Sequence, residues 1–238
     1  MSPSSRQGKR TEAGVSIGRG GEDFQRDDRK TTFMTDELNA KAEADGRLCI
    51  TVPAGRISCF FPLLQKGFAL AVPLSRPIRS LLRGEFGLPD EYIETRIQTV
   101  FLDGKPVDDI DTAMVRDGST LALAPAMPGL MGAMLRRGGH LAAMRSGITY
   151  RDDTITQGSG EGRIIVKLFG MALQELGPQL LAHGIGVDAG DLSKVVSGLP
   201  EDCREGLGNM EALKRQGSVV LRVTMAQTSP LSSLDRCP

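Results

Sequence analysis

The apolar residues in the first half of this chain fall in short runs that are interrupted by proline or glycine. RLCITV (47–52) stops at Pro53, RISCFFPLL (56–64) contains a proline, and GFALAVPL (67–74) begins with Gly67. With 29 glycines and 13 prolines in 238 residues, such interruptions recur along the whole chain. Because glycine and proline end regular structure, the pattern favours short strands joined by turns. We predict a strand in each of these three runs.

The spacing of apolar residues changes at SRPIRSLLRGEFGLPDE (75–91). Ser75 can cap a helix and Pro77 suits its first turn, whereas Gly87 and Pro89 end it. The apolar residues between these limits share one helical face: Ile78, Leu81, Leu82 and Phe86. The sequence therefore predicts one short helix over 75–86, packed on a sheet.

The following segments predict the remainder of that sheet. RIQTVFL (96–102) alternates and is rich in β-branched residues, which is typical of a strand. Two tight turns, a short edge strand and a last strand come after it: DGKP (103–106), DG (117–118), VDDIDTAMV (107–115) and STLALAP (119–125). A small sheet with one helix across its face is an α+β architecture, which we assign to residues 46–129.

A second structured unit is predicted after a tail and a polar linker (130–162). The run GSGEG makes residues 151–162 the best linker in the chain. Residues 163–226 predict a small α+β extension with strands at 163–169, near 185 and at 218–225, and with a helix interrupted by Gly177 and Pro178. Because this extension is too small to bury a core alone, we expect it to pack on the first domain or on a second copy of the chain.

The two ends of the chain predict disorder. Residues 1–45 mix both charges with serine and glycine and have little to bury, and residues 227–238 are expected to be disordered as well. Met34 opens MTDELNAKAEADG, so either it is the true start or a disordered arm precedes it. No apolar stretch reaches the roughly 20 residues that a membrane helix needs, so we expect no membrane partner.

Charge and cysteine usage limit the classes of partner and cofactor. Basic and acidic residues number 29 each, so the chain has no global field that would attract nucleic acid or an anionic membrane. The four cysteines are scattered, no Cys-x-x-Cys pair occurs and there are only two histidines, so we predict no metal site and no cofactor. The absence of a dense cysteine framework suits the reducing cytosol, and we expect a cytoplasmic protein.

The segment after the predicted last strand, PAMPGLMGAMLRRGG (125–139), ends in glycines. Three of its glycines suit either a reactive, carrier-like tail or an ordinary loop: Gly129, Gly138 and Gly139. Its methionines favour a packed and adaptable contact, and its arginines suit an anionic partner or a solvated face. We take four of these side chains as candidate binding residues: Met131, Met134, Arg136 and Arg137.

Residues 67–129 resemble the β-grasp sulfur carriers of the thiamine and molybdopterin pathways, which share the ubiquitin fold. The resemblance rests on LSRPIRSLLRGEFGLPDE and TVFLDGKPVDDIDTAMVRDGSTLALAPAMPG. These contain a leucine-rich helix ending in Gly-Leu-Pro, a strand followed by an Asp-Gly-Lys-Pro-Val turn, an Asp-Thr…Asp-Gly segment, and a strand leading to a glycine-containing tail. The resemblance implies a β-grasp (ubiquitin-like) domain at 46–129, followed by the small extension.

The family's working group is the carboxylate of a C-terminal Gly-Gly, which a partner enzyme adenylates and converts to a thiocarboxylate. An internal peptide carbonyl cannot be adenylated. In this chain Pro128-Gly129 stands where the family has Gly-Gly, and the diglycine Gly138-Gly139 lies further along the chain after two arginines. A protease would have to cut after one of these glycines before it could act as a carrier end.

Two functional hypotheses follow from these patterns. The first is a non-enzymatic β-grasp protein that acts by protein–protein binding, as a scaffold or as an accessory subunit of a larger enzyme. The alternative is a precursor of a sulfur carrier or ubiquitin-like modifier, cleaved after Gly139 or Gly129 and activated by an adenylating enzyme. We predict no catalytic residues, because no Ser-His-Asp or general acid–base set can be assembled. An enzyme with its active site between the two units is the third class, and we rank binding first.

Overall fold

The computed structural model describes residues 46–151, 160–203, 215 and 217–226. The predicted disordered ends (1–45 and 227–238) and most of the predicted linker (151–162) lie outside these residues. Within the described ranges, no helix combines the length and the apolar character needed to cross a membrane.

The described strands form one sheet of eight. They are β1 (Arg47–Val52), β2 (Phe68–Pro73), β3 (Thr99–Leu102), β4 (Lys105–Pro106), β5 (Thr120–Ala124), β6 (Glu161–Leu168), β7 (Ile185–Asp188) and β8 (Ser218–Met225). Their order across the sheet is β1-β8-β7-β2-β6-β5-β3-β4. β1 runs parallel to β8 and β5 parallel to β6, whereas the other neighbours are antiparallel. This mixed sheet with its helices agrees with the predicted α+β class.

Six α-helices and three 3₁₀ helices accompany the sheet in the described ranges. The α-helices are α1 (Phe61–Lys66), α2 (Ile78–Gly84), α3 (Asp90–Arg96), α4 (Gly129–Leu135), α5 (Gly170–His183) and α6 (Ala189–Ser197). The 3₁₀ helices are Ala54–Phe60, Ala142–Arg145 and Glu201–Cys203.

The strands of the two predicted units interleave. β6, from the predicted extension (163–226), lies between β2 and β5 of the predicted first domain (46–129), and β8 pairs with β1. The described parts of both units therefore share one sheet and one hydrophobic core. The extension is too small to bury a hydrophobic core alone, so its apolar side chains pack against those of the first domain.

Burial alternates along the strands, as expected for a sheet with one covered face. In β1 and β8, Leu48 and Leu221 point inward and are buried, while their neighbours Cys49 and Arg222 point outward and are exposed. Apolar residues of α1, α2, α5 and α6 belong to the same core as the inward-facing strand residues. The outward side of the sheet, which we call the open face, carries the half-buried and exposed residues of each strand.

The strand predicted in RISCFFPLL (56–64) is wrong, since this segment lies in a 3₁₀ helix followed by α1. Its buried residues Ile57, Phe60 and Leu64 are spaced by three and four positions, which is a helical period rather than the period of a strand. The tertiary contact of this face with the core therefore decides the local structure.

The interruption predicted at Gly177 and Pro178 is also wrong, because α5 continues through both residues to His183. A side chain at position 177 would place its Cβ 3.0 Å from atoms of Leu64 and Phe61. The glycine thus lets α5 pack closely on α1. Burial of the apolar face of α5 offsets the backbone hydrogen bond that Pro178 cannot make.

The helix predicted over 75–86 is observed at Ile78–Gly84, and a further helix, α3, follows at Asp90–Arg96. The edge strand predicted at 107–115 is instead a loop with one isolated bridge, between Pro77 and Met114. Its Ile110 is buried in the core, which explains the apolar pattern without a strand.

Candidate functional site: the folded glycine segment

The segment that follows β5, residues 126–150, is folded against the helical side of the protein; we call it the tail segment. It contains α4, a turn at the diglycine and the 3₁₀ helix Ala142–Arg145. The 3₁₀ helix packs against α4. At the end of the segment the Tyr150 N–H donates to the Pro106 carbonyl at 2.9 Å. The tail segment is therefore attached to the domain at both ends.

The three glycines predicted as carrier-like lie within regular or hydrogen-bonded structure. Gly129 begins α4, and both it and Gly138 have positive φ, at 77° and 63°. The Gly139 N–H donates to the Arg136 carbonyl at 3.2 Å, and the Gly139 carbonyl accepts from Ala142 at 3.0 Å. An extended backbone that could enter a partner's channel is absent at this described diglycine.

Arg137 anchors the diglycine turn to the end of α3. Its Nη2 donates to the carbonyls of Ile93 and Ile97, at 3.2 and 3.4 Å, and lies 3.1 Å from the Glu94 carboxylate. Its backbone N–H donates to the Gln98 carbonyl at 2.8 Å. A cation at this position satisfies carbonyls that a helix leaves free at its carboxyl end. Arg137 is thus a structural anchor rather than a free binding residue.

Arg145 is a second anchor that the sequence analysis missed. Its side chain is 1% exposed, and Nη2 lies 2.6 Å from Asp108 Oδ1. Nε donates to the Met134 carbonyl at 2.6 Å, and Nη1 donates to Thr149 Oγ1 at 2.9 Å. Because arginine is rarely buried, no pattern in the sequence distinguishes this arginine from the exposed ones.

An ion-pair chain links the tail segment to α2. Glu94 bridges Arg137, at 3.1 Å, and Arg79, at 2.6 Å, and Arg79 also binds Asp111. The hydrogen bond from Arg79 is the main reason that the pKa of the Glu94 carboxyl lies below its ordinary value; partial burial acts in the opposite direction, and the charge of Arg137 lowers it further. The same arginine lowers the pKa of Asp111.

We expect Glu94→Gln to lower the free energy of unfolding at neutral pH by at most about 1 kcal/mol, since the carboxylate is half exposed. A lowered folded-state pKa stabilises above the unfolded-state pKa, near 4.3, and this contribution is lost as pH falls through the folded-state pKa. The difference between wild type and Glu94→Gln should therefore disappear in acid. Urea unfolding at pH 7 and at several lower pH values measures it, with Glu85→Gln as the exposed control. A difference that does not shrink as pH falls below about 4.3 would contradict the assignment.

The outward side of the tail segment is apolar. Four of its large hydrophobic side chains are 59–67% exposed: Leu130, Met131, Met144 and Ile148. Of the predicted binding residues, Met131 and Arg136 are exposed, whereas Met134 is half-buried and Arg137 is an anchor. We call these four hydrophobic residues with Arg136 the tail surface.

A groove of about 510 Å³ borders the tail surface. Met127, Gly132 and Leu141 contribute to its lining, together with Arg136 and His140. Gly132 is needed for its shape, since a Cβ there would lie 1.9 Å from the Met127 carbonyl oxygen. Both polar and apolar residues therefore line the groove, and its ionisable residues are basic.

The aspartates between β3 and β5 each accept hydrogen bonds from groups of the protein. Asp103 accepts from the Thr120 N–H at 2.7 Å, Asp109 from the Asp111 N–H at 2.8 Å, and Asp117 from the Arg163 N–H at 2.7 Å. No group of three or more metal-ligating side chains occurs in the part of the chain that the structure describes. Turn chemistry accounts for Asp109, whereas Asp103 and Asp117 bind backbone N–H groups that are distant in sequence.

No protein-family model, curated protein or solved structure matches this chain. The resemblance to the β-grasp sulfur carriers thus rests on the sequence motifs alone. The fold and the site define a mixed α+β protein that presents an apolar, partly basic surface on an anchored glycine-containing segment.

Proposed function

We propose that this chain is a non-enzymatic protein of β-grasp type that acts by binding another protein through the tail surface. The partner offers apolar side chains to Leu130, Met131, Met144 and Ile148 and an acidic group to Arg136. Exposed hydrophobic residues concentrated on one segment are typical of protein interaction sites, and methionine adapts to the shape of a partner. A scaffold or an accessory subunit of a larger assembly fits this behaviour.

The order of the five strands at one end of the sheet supports the β-grasp part of the proposal. β2-β6-β5-β3-β4 has a parallel pair, β6 and β5, between antiparallel strands, and α2 follows β2 in the chain. A β-grasp sheet also has a parallel pair at its centre. In this chain the strand beside β5 would come from the C-terminal side of the sequence instead of the N-terminal side, which is a permuted β-grasp order.

The position of β6 is the observation that carries the proposal. β6 pairs with β2 on one side and with β5 on the other, and it follows all three carrier-like glycines in the chain. Cleavage after Gly129 or Gly139 would place β6, β7 and β8 on a different fragment from β1, β2 and β5, with which they pair. The glycines accordingly serve the intact chain, and we do not favour a carrier precursor.

Site-specific photo-crosslinking tests the proposed surface in the cells that make the protein. Met131 is replaced by the photoreactive residue benzoylphenylalanine, and the matched control carries it at Gln65, an exposed residue on α1. We expect a discrete cross-linked protein from position 131 that is absent from position 65. Arg136→Glu in the same background should reduce its yield. Equal cross-linking from both positions, or none from position 131, would overturn the tail surface as the binding site.

The intact mass of the protein from the same cells tests the alternative. A chain that extends past Gly139 agrees with a binding protein. A product ending at Gly139 or Gly129, with sulfur in place of one carboxyl oxygen, would replace our proposal with the sulfur-carrier precursor.

A further inference from the structure

A second feature, separate from the tail surface, lies on the open face of the sheet. Where one face of a sheet is solvated, its outward residues are ordinarily polar. Here three outward residues of the adjacent strands β7 and β2 are small: Ala69 pairs with Gly186, and Ala71 follows on β2. Val220 on β8, opposite Gly186, is 45% exposed.

The neighbouring strands carry longer outward side chains on both sides of these small residues. On β6, Ile165 pairs with Ala69 and Arg163 with Ala71. On β8, Val220 pairs with Gly186, and Arg222 lies two residues further along. The middle of the open face is therefore a groove with a floor on β7 and β2 and walls on β8 and β6.

Glycines at the ends of the strands extend the floor. A Cβ at Gly67 would lie 2.9 Å from Ile165 Cγ2 and 3.2 Å from Lys167 Cε. A Cβ at Gly184 would lie 3.8 Å from both Arg222 and Val220. Side chains of β6 and β8 thus extend over Gly67 and Gly184, which carry no side chain. A depression of about 600 Å³, lined in part by Ala71, Arg163 and Ile165, continues the groove along β6.

The width of the groove suits one α-helix. β8 and β6 are separated by three strand spacings, or about 14 Å. An α-helix with its side chains is roughly 10–12 Å across. A partner strand would need a free sheet edge, which the groove does not offer because all four of its strands have neighbours on both sides.

The walls are basic. Arg163 and Lys167 stand on β6 and Arg222 on β8, and Arg47 pairs with Val220 from the far side of that wall. Three acidic residues lie nearby: Asp117 and Glu161 line the depression beside Arg163, and Asp188 ends β7. Asp117 and Asp188 already accept backbone N–H groups, from Arg163 at 2.7 Å and from Asp191 at 2.9 Å. Arg222 donates one bond to the His183 carbonyl, which leaves further guanidinium N–H groups for a ligand.

We propose that the groove on the open face docks an amphipathic α-helix of a partner protein, with an apolar stripe between two acidic flanks. The apolar stripe lies on Ala69, Ala71 and Gly186, and the acidic flanks face Arg163 and Lys167 on one side and Arg222 on the other. A second copy of this chain is disfavoured as the occupant of the groove, because its basic residues would be repelled by the basic residues of the walls. Among the described residues, the four strands of the groove present no outward aromatic side chain, and the half-buried Phe101 stands on β3 outside it. The described part of the groove thus lacks the stacking platforms of single-stranded nucleic acid sites.

Binding of a designed probe peptide to the full chain tests this inference. The probe is a helical peptide of about 18 residues with a leucine and alanine stripe and glutamate flanks; its counterpart has lysine flanks. Fluorescence anisotropy should show binding of the acidic probe and at least about tenfold weaker binding of the basic one. Arg163→Glu with Lys167→Glu should weaken the acidic probe by a similar factor, whereas Lys105→Glu, on β4, should not change it.

Ala71→Leu provides a test that does not alter charge. It fills the floor at an exposed position, so circular dichroism should be unchanged while binding of the acidic probe is lost. Equal binding by wild type and Ala71→Leu, or no binding by wild type, would overturn the proposal. Tighter binding of a single-stranded oligonucleotide at the same salt, or a dimer that Ala71→Leu dissociates, would assign the face to nucleic acid or to a second copy instead.

Discussion

Val166→Asp is expected to unfold the protein. Val166 is fully buried in the centre of β6, and it pairs with Phe68 on β2 and with Leu121 on β5, both of which are buried. A carboxylate at this position would be desolvated without a partner, which we expect to cost about 4 kcal/mol or more. Since domains are stable by only about 5–15 kcal/mol, this loss should shift the unfolding transition to a much lower urea concentration, and a larger loss should abolish the transition. Circular dichroism during urea titration measures the effect.

The adjacent residue supplies the control for this prediction. Ile165 lies on the same strand but points to the open face and is half-buried. We expect Ile165→Asp to lower the free energy of unfolding by only about 1 kcal/mol, the range of strand propensity effects. If both variants unfolded at the same urea concentration, β6 would not be a central strand. That result would also remove the main argument against cleavage after Gly139.

Arg145→Ala is expected to release the tail segment from the domain. The substitution removes three hydrogen bonds, so that the Met134 carbonyl loses its arginine donor and the Asp108 carboxylate keeps only the Gly138 N–H, at 3.3 Å. Loss of a buried charged hydrogen-bond partner costs about 2–3 kcal/mol, and Asp108 is exposed enough to recover part of its hydration. Hydrogen exchange should show lost protection at Ala142 and Tyr150, while the amides of β5 and β6 stay protected.

Two further variants separate the causes of this effect. Arg145→Met keeps most of the side-chain volume without the hydrogen bonds, and it should destabilise nearly as much as Arg145→Ala. Arg136→Ala removes an exposed arginine from the same segment and should leave exchange at Ala142 and Tyr150 unchanged. If Arg136→Ala released these amides as readily as Arg145→Ala, burial of Arg145 would not be what holds the tail segment. Release of the segment should also reduce cross-linking from position 131.

The two proposed surfaces should bind their partners independently of each other. The tail surface belongs to α4 and the residues after it, whereas the groove belongs to the open face of the sheet. Arg145→Ala should therefore weaken binding at the tail surface and leave the acidic probe peptide bound to the groove. Ala71→Leu should do the reverse. A protein that bound different partners at these two places would act as a bridge between them.

Several elements were predictable because their pattern is local. β2, β5, β6 and β8 follow runs of alternating or β-branched residues, and α2 follows Ile78, Leu81 and Leu82 on one helical face. The helical structure of segment 56–64 agrees with the spacing of Ile57, Phe60 and Leu64, but its proline and β-favouring residues predicted a strand, and contact with the core decides between the two. The continuation of α5 through Gly177 and Pro178 could not be predicted from the sequence, because it depends on the contact of Gly177 with α1.

The candidate site was predictable only in its location. The glycines and methionines of 125–139 marked the tail segment, but the roles of its arginines depended on partners distant in sequence. Arg145 binds Asp108 across 37 residues, and Arg137 binds Glu94 across 43. The groove on the open face depends on pairing between β7, β2 and β6, which no local pattern specifies.

Side-chain periodicity and turn chemistry act over a few neighbouring residues, so the sequence predicted the α+β class and elements such as β2, β5, β8 and α2. The tertiary structure places β6 between β2 and β5, folds the glycines, and brings small residues together between two basic walls. These outcomes come from burial of apolar surface shared by segments far apart in the chain, and that free energy depends on the whole packed core rather than on any one segment.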